Sequence, residues 1–251
     1  MLRVDELRAI ETPSRRRIGL ASALSSRQLQ ALRGLKRLGK DRMAYLDIDA
    51  LNATPVQHDP YDYLILRDFV KPETAAAVTR DYPKIDKPGS FTLDDVEVGG
   101  ALAELIAELD AEPFRAAIER KFDLDLSGLP TMFTVRGMCG PHDGQIHTDS
   151  KTKVITVLLY LNEAWAPDGG RLRLLRNGED LEAVAAEVPP DFGALLVFRR
   201  SETSWHGHKP FTGPRRVVQM NWVTSDRVAA WQQFRHRISA AVKKLTPARA
   251  G

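Results

Sequence analysis

The sequence predicts an α+β chain in which helices come first and a sandwich or barrel of short strands follows. Three observations carry this. The first half holds helix signals: a leucine stripe, proline-bracketed segments and an apolar decapeptide, GALAELIAEL. From Leu129 onward the texture changes to short apolar runs separated by Gly, Pro and Asp turns. No internal repeat or low-complexity segment interrupts either half.

Residues 1–19 have no clear period. From Ser26 to Lys40, leucines at 29, 32, 35 and 38 form a helical stripe flanked by Arg27, Arg33, Lys36, Arg37 and Lys40. An amphipathic helix packed on the main domain is the preferred reading, and a basic helix in weak contact with an anionic membrane surface or nucleic acid is the sharper one. A loop with Pro55 and Pro60 leads to a strand at 63–69. Pro72 then sits near a helix start and Pro83 after its end, as the missing proline N–H requires. Two more helices follow, over GALAELIAEL and from Pro113 through Arg120. Strands are expected at 131–137, 153–161, 171–175, 194–199, 204–209 and 215–223, and a final helix at 226–244. The chain divides into a basic helical extension (1–60), a main domain with preceding helices (61–225), and a C-terminal helix with a basic tail (226–251).

At 251 residues, 43% hydrophobic and 27% charged, the composition is that of a soluble globular protein. No apolar run approaches the roughly 18 residues that span a bilayer, so no transmembrane segment is expected. The N-terminus mixes acids with bases and lacks an apolar signal core. The single cysteine, Cys139, excludes a disulfide framework and suits a cytoplasmic location. It also excludes a cysteine-rich metal cluster, so a metal would need imidazole and carboxylate ligands.

The net charge of +3 is unevenly distributed. Residues 1–42 carry eleven Lys/Arg and four Asp/Glu, and residues 227–251 carry six bases and no acid, which leaves residues 43–226 at −10. A nucleic-acid reader concentrates positive charge on its working module. Here the segment with the chemical motifs is the acidic one, and no nucleic-acid partner is expected.

The chemistry begins at HDGQIHTDSKTK. His147 and Asp149 are two apart, so on extended chain both face one way and can serve one ion. A histidine farther along, in SWHGHKPF, supplies the third ligand. Two imidazoles and one carboxylate leave three octahedral positions open, the facial triad of non-haem Fe(II) oxygenases, with room for a bidentate cosubstrate and O₂. His206 and His208 compete for the third place, and strand alternation puts both on one face. Spacing favours His206, because Arg216 lies ten residues beyond it, about the separation for a neighbouring strand to return a cation to the pocket. A guanidinium fork matches a carboxylate bidentately, which suits Arg216 to the distal carboxylate of 2-oxoglutarate. Arg215 is then expected on the opposite face.

The segments HTD, ITVLLYLNEAW, DGGRLRLL, VPPDFGALLVF, SWHGH and PRRVVQMNW occur in this order. Together, over Phe133 to Val223, they resemble the prolyl-hydroxylase-type branch of the 2-oxoglutarate/Fe(II)-dependent oxygenase superfamily. The resemblance implies a double-stranded β-helix (jelly-roll) core with helices packed outside. It also implies Fe(II) on His147, Asp149 and His206, 2-oxoglutarate on Arg216 and Tyr160, and O₂ and L-ascorbate as further small molecules. The implied reaction decarboxylates 2-oxoglutarate to succinate and hydroxylates an unactivated C–H bond. Asp149, where a glycine or alanine would open a site for halide, points to a hydroxylase. The substrate stays open between peptidyl proline and a small-molecule, glycan or lipid-linked compound. Relatives carry a tyrosine in the strand before the His-x-Asp pair. Here that strand reads FTVRGMCG and turns Arg136 or Met138 to the pocket.

Blander readings stand beside these. Tyr160 also suits a core position, His208 a strand edge, and His142 a loop. Trp205 and Trp222 suit core or pocket wall. Arg171 and Arg173 alternate with leucines and are expected in solvent, with Arg173 able to reach an acidic substrate. A non-oxidative jelly-roll metal protein and a non-catalytic binding module are the rival classes. Against the first, Arg216 and Tyr160 have no purpose without a dicarboxylate.

Overall fold

The structure, a computed structural model, describes residues 44–224. The helices expected at 26–40 and 226–244 lie outside the described residues.

Among the described residues, nine strands set the frame. β1 (Tyr63–Leu66), β2 (Phe91–Thr92), β3 (Thr131–Cys139), β4 (Lys153–Tyr160), β7 (Leu195–Arg199) and β9 (Gly213–Val223) form one sheet in the order β1-β7-β4-β9-β3-β2. β5 (Leu172–Leu175), β6 (Val184–Val188) and β8 (His206–Gly207) form a second, in the order β6-β5-β8. All pairings within the sheets are antiparallel. From β4 onward the chain crosses to the small sheet for β5 and β6, returns for β7, crosses for β8 and returns for β9. That winding is the expected jelly-roll sandwich.

Period-two alternation decides what each face of the large sheet meets. Ile155, Val157 and Leu159 of β4 and Val218, Met220 and Trp222 of β9 share a core with the helices. Tyr160, Leu196, Phe198 and Val217 face the other way and pack on Leu172, Leu174 and Val188 of the small sheet. Helices α3 (Gly100–Leu109) and α4 (Glu112–Phe122) cover the outer face with Leu102, Leu105, Ile106, Leu109, Phe114 and Ile118. Phe114 stacks on Trp222 with ring centroids 6.1 Å apart and planes 17° apart.

Pro72 opens a 3₁₀ turn (Pro72–Thr74) that runs into α2 (Ala75–Arg80), as its position predicts. The short helix α1 (Ile48–Ala53) has no counterpart in the sequence reading. Its six residues are too few to set a period, and its start is fixed by Asp47, whose side chain accepts from Ala50 N at 2.8 Å. Strand β6, VAAEV, is also new: a half-buried edge strand paired only to β5, with alanines where strand formers would signal it. Among the described residues, no helix is long and apolar enough to cross a membrane.

Candidate active site

The open end of the sandwich holds a cavity of about 380 Å³ between the two sheets. His147 and Asp149 enter it from the segment just before β4. His206 enters it from β8, and backbone bonds tie the two histidines: each N–H donates to the other's carbonyl at 3.0 Å. A ligand atom from each of His147, Asp149 and His206 lies within 4.8 Å of the others.

Each side chain is held in a ligating state. His147 Nδ1 lies 2.8 Å from Gln145 O, and His206 Nδ1 lies 2.9 Å from Ser204 O. A carbonyl only accepts, so both Nδ1 atoms carry a proton, and Nε2 is the nitrogen of each ring left to ligate. Burial, reinforced by His147, pushes His206 down to about 4, so its imidazole is neutral. Burial raises the Asp149 carboxyl. The charge of Lys153 and the bonds from Lys153 and Thr156 outweigh that, and it stays below the usual carboxylate range. Lys153 Nζ meets Asp149 Oδ1 at 2.5 Å, and Thr156 Oγ1 meets Oδ2 at 2.5 Å. Two imidazoles and one carboxylate are the donor set that a divalent iron takes, so these residues fit Fe(II).

Deeper in the cavity a guanidinium waits, and it belongs to Arg215. Arg215 is 5% exposed. Its Nε donates to Gly170 O at 2.7 Å and its Nη2 lies 3.4 Å from the Tyr160 hydroxyl. Tyr160 is fully buried, and burial raises its phenol. The structure does not place Arg216 where the spacing predicts: its guanidinium lies 5.5 Å over the Tyr82 ring, on the other face of β9, and it is not among the cavity's lining residues. The chain turns between β8 and β9, so ten residues do not carry strand parity from His206 to Arg216. A usable signal was inside β9 itself. Its large apolar residues, Val218, Met220 and Trp222, are even-numbered, and its polar ones, Gln219 and Asn221, are odd-numbered. The pocket cation therefore had to be odd-numbered too.

The remaining candidates divide. His208 is buried on the cavity wall, its Nδ1 2.8 Å from Lys209 O and its Nε2 4.0 Å from Cys139 Sγ. Burial, then the charge of Arg215, lowers it to about 4. Arg136 and His142 line the cavity; Arg136 pairs with Asp143 at 3.3 Å and donates to Ser90 Oγ at 2.7 Å. Arg173 is neither solvated nor in the cavity. It is buried and pinned by Glu187 at 2.7 Å and Glu182 at 2.8 Å. Lys153, Thr156 and Gln219 line the cavity and escaped the sequence reading, because nothing in an apolar-looking strand marks a lone polar residue as facing a pocket.

The described residues thus bring together, in one jelly-roll sandwich, a His/Asp/His cluster that could hold a metal ion and a buried guanidinium on the same cavity. Residues 132–224 match the family model of the 2OG-Fe(II) oxygenase superfamily. No curated protein sequence matches the chain. Similar solved structures include a prolyl-4-hydroxylase from Pseudomonas putida, at 19% identity and TM-score 0.47, covering 75% of this chain and 96% of that one. A prolyl 4-hydroxylase from Phytophthora capsici has 19% identity and TM-score 0.48, covering 80% and 78%. A viral collagen prolyl hydroxylase from Paramecium Bursaria Chlorella virus-1, in complex with 2OG, has 14% identity and TM-score 0.43, covering 64% and 95%. These are distant similarities.

Proposed function

We propose that this protein is a 2-oxoglutarate-dependent hydroxylase of an unactivated C–H bond, with iron on His147, Asp149 and His206. In this reading Arg215 and Tyr160, rather than Arg216, hold the cosubstrate. The observation that carries it is the pairing of a metal-competent triad with a buried Arg215–Tyr160 pair in one cavity. A structural or catalytic zinc site would not explain a buried cation aimed at that cavity.

The chain's own residues divide the work. The carbonyls of Gln145 and Ser204 hold the imidazoles of His147 and His206 with Nε2 outward. Lys153 and Thr156 keep Asp149 ionised and oriented. Arg215 and Tyr160 donate to the distal carboxylate of 2-oxoglutarate, a charge-assisted contact that fixes its long axis. Leu158, Leu172 and Val217 line the cavity between these groups and exclude water there. When bound, iron with 2-oxoglutarate supplies the oxidising chemistry that couples decarboxylation, yielding succinate, to hydroxylation. The substrate class is peptidyl proline or a small-molecule, glycan or lipid-linked compound, and the location we infer from the lone buried Cys139 is cytoplasmic.

The test is an anaerobic visible spectrum of the protein with Fe(II) and 2-oxoglutarate, beside His147→Ala, Arg215→Ala and Arg216→Ala. A charge-transfer band is expected in the wild type and in Arg216→Ala, absent in His147→Ala and weakened in Arg215→Ala. Iron uptake with no band on adding 2-oxoglutarate would move the protein to non-oxidative metal binding.

A further inference from the structure

The polar residues on the cavity face of the large sheet form one directed chain. Gln219 Nε2 donates to Asn221 Oδ1 at 3.2 Å, and Asn221 Nδ2 donates to Thr156 Oγ1 at 3.0 Å. Thr156 Oγ1 then donates to Asp149 Oδ2 at 2.5 Å. The direction is forced. An ionised carboxylate only accepts, so the single hydroxyl proton of Thr156 goes to Asp149. Thr156 can then only accept from Asn221, which must turn its amide nitrogen to β4 and its carbonyl to Gln219. Thr156 and Asn221 are register partners on β4 and β9, so the sheet itself sets the distance. Asn221 is 5% exposed and Thr156 is 1% exposed, while Gln219 lies at the cavity wall.

We propose that Gln219, Asn221 and Thr156 are a positioning relay for Asp149, the carboxylate of the metal triad; this rests on the functional reading above. Oδ1 of Asp149 is already taken by Lys153. The relay fixes Oδ2, so the carboxylate cannot rotate away from His147 and His206. Each bond polarises the next, so the amide at the cavity wall and the ligand behave as one unit. None of the three relay residues belongs to the cluster that could hold the ion. They act on it through Asp149, in the way that outer hydrogen bonds orient metal ligands.

The test is calorimetric titration with Mn(II), an oxygen-insensitive stand-in for Fe(II), on the full chain. Thr156→Val keeps the shape and removes the hydroxyl; its affinity should fall by about 10- to 100-fold. Thr156→Ser restores the hydroxyl and should return to within about twofold of wild type. Asn221→Leu should weaken binding severalfold in the wild-type background and add nothing in Thr156→Val, since its effect passes through the hydroxyl. Affinities in Thr156→Val equal to wild type, or an Asn221→Leu penalty undiminished in the Thr156→Val background, would overturn the relay. Where Thr156→Val does not fold, Asn221→Leu alone decides, because it leaves both direct bonds to Asp149 in place; unchanged affinity then overturns it. A wild-type chain that takes up no Mn(II) sinks the functional reading and the relay with it, whereas wild-type uptake with indifferent variants sinks the relay alone.

Discussion

Arg215 and Tyr160 meet inside the sandwich, Nη2 to hydroxyl at 3.4 Å, and the guanidinium carbon lies 5.1 Å from the ring centroid. Both side chains are buried. Their neighbour in sequence, Arg216, spends its guanidinium on Tyr82 instead. A buried charge-assisted contact is worth about 1.5–3 kcal/mol, so Arg215→Met should weaken 2-oxoglutarate binding by about 10- to 100-fold. Arg216→Met should change it by less than about twofold. Calorimetric titration of the Mn(II)-loaded protein with 2-oxoglutarate reads both values. The reverse pattern would return the anchoring role to Arg216.

That pair also marks where the sequence was legible and where it was not. His147 and Asp149 could be paired from their spacing because they share one extended segment, and the structure brings His206 to them through a two-residue strand. Strand parity is a local rule, valid inside β9 and lost across the turn before it, so counting from His206 led to Arg216, which the structure places away from the cavity lining. Arg173 failed for another reason. Alternation with leucines says which face a residue takes, but not that β6 would place Glu187 opposite it. The helix–sheet core was predictable in outline, since long apolar periods do not depend on what they pack against.

Gly144 is the position where the site depends on the absence of a side chain. Its φ is +90°, and a Cβ there would lie 2.4 Å from His208 Nδ1 and 2.6 Å from His208 O. His208 N also donates to Gly144 O at 2.9 Å, so the 140–147 loop and the end of β8 are locked together. Gly144→Ala therefore has to push His208, two residues from His206. Expected are a loss of about 1–3 kcal/mol from the strained backbone and Mn(II) binding weakened severalfold. Thermal melting and Mn(II) titration check the two parts. An alanine variant with wild-type affinity would mean the loop yields without moving β8.

Acid stability should depend on Asp81. Its Oδ1 accepts from Arg80 Nε at 2.9 Å and its Oδ2 accepts from Ala101 N at 2.7 Å, at the start of α3. The bond from Arg80, then that from Ala101, holds its carboxyl below the ordinary value of 3.8. The folded state thus binds a proton less readily than the unfolded chain. The contribution is fully present above about pH 4 and is lost as the pH falls through the depressed folded value. Asp81→Asn should lower the melting temperature at pH 6–7 and flatten its fall on acidification below pH 4, read by melting curves across that range. Parallel curves for the two proteins would remove Asp81 from the acid transition.

Phe114 and Trp222 test whether the helix layer is a support or a part of the site. Both are at most 1% exposed, stacked between α4 and the outer face of β9, while the cavity lies on the inner face. Phe114→Ala removes a large buried ring from a close-packed core and should cost about 3–5 kcal/mol of stability. Alternation puts Trp222 and Asn221 on opposite faces, so the loss need not reach the cavity unless β9 itself shifts. The expected result is a markedly lower melting temperature with 2-oxoglutarate affinity within about threefold of wild type at temperatures where the variant is folded. A collapse of affinity in the folded variant would mean that helix packing sets the position of β9, and with it the reach of Arg215 into the cavity.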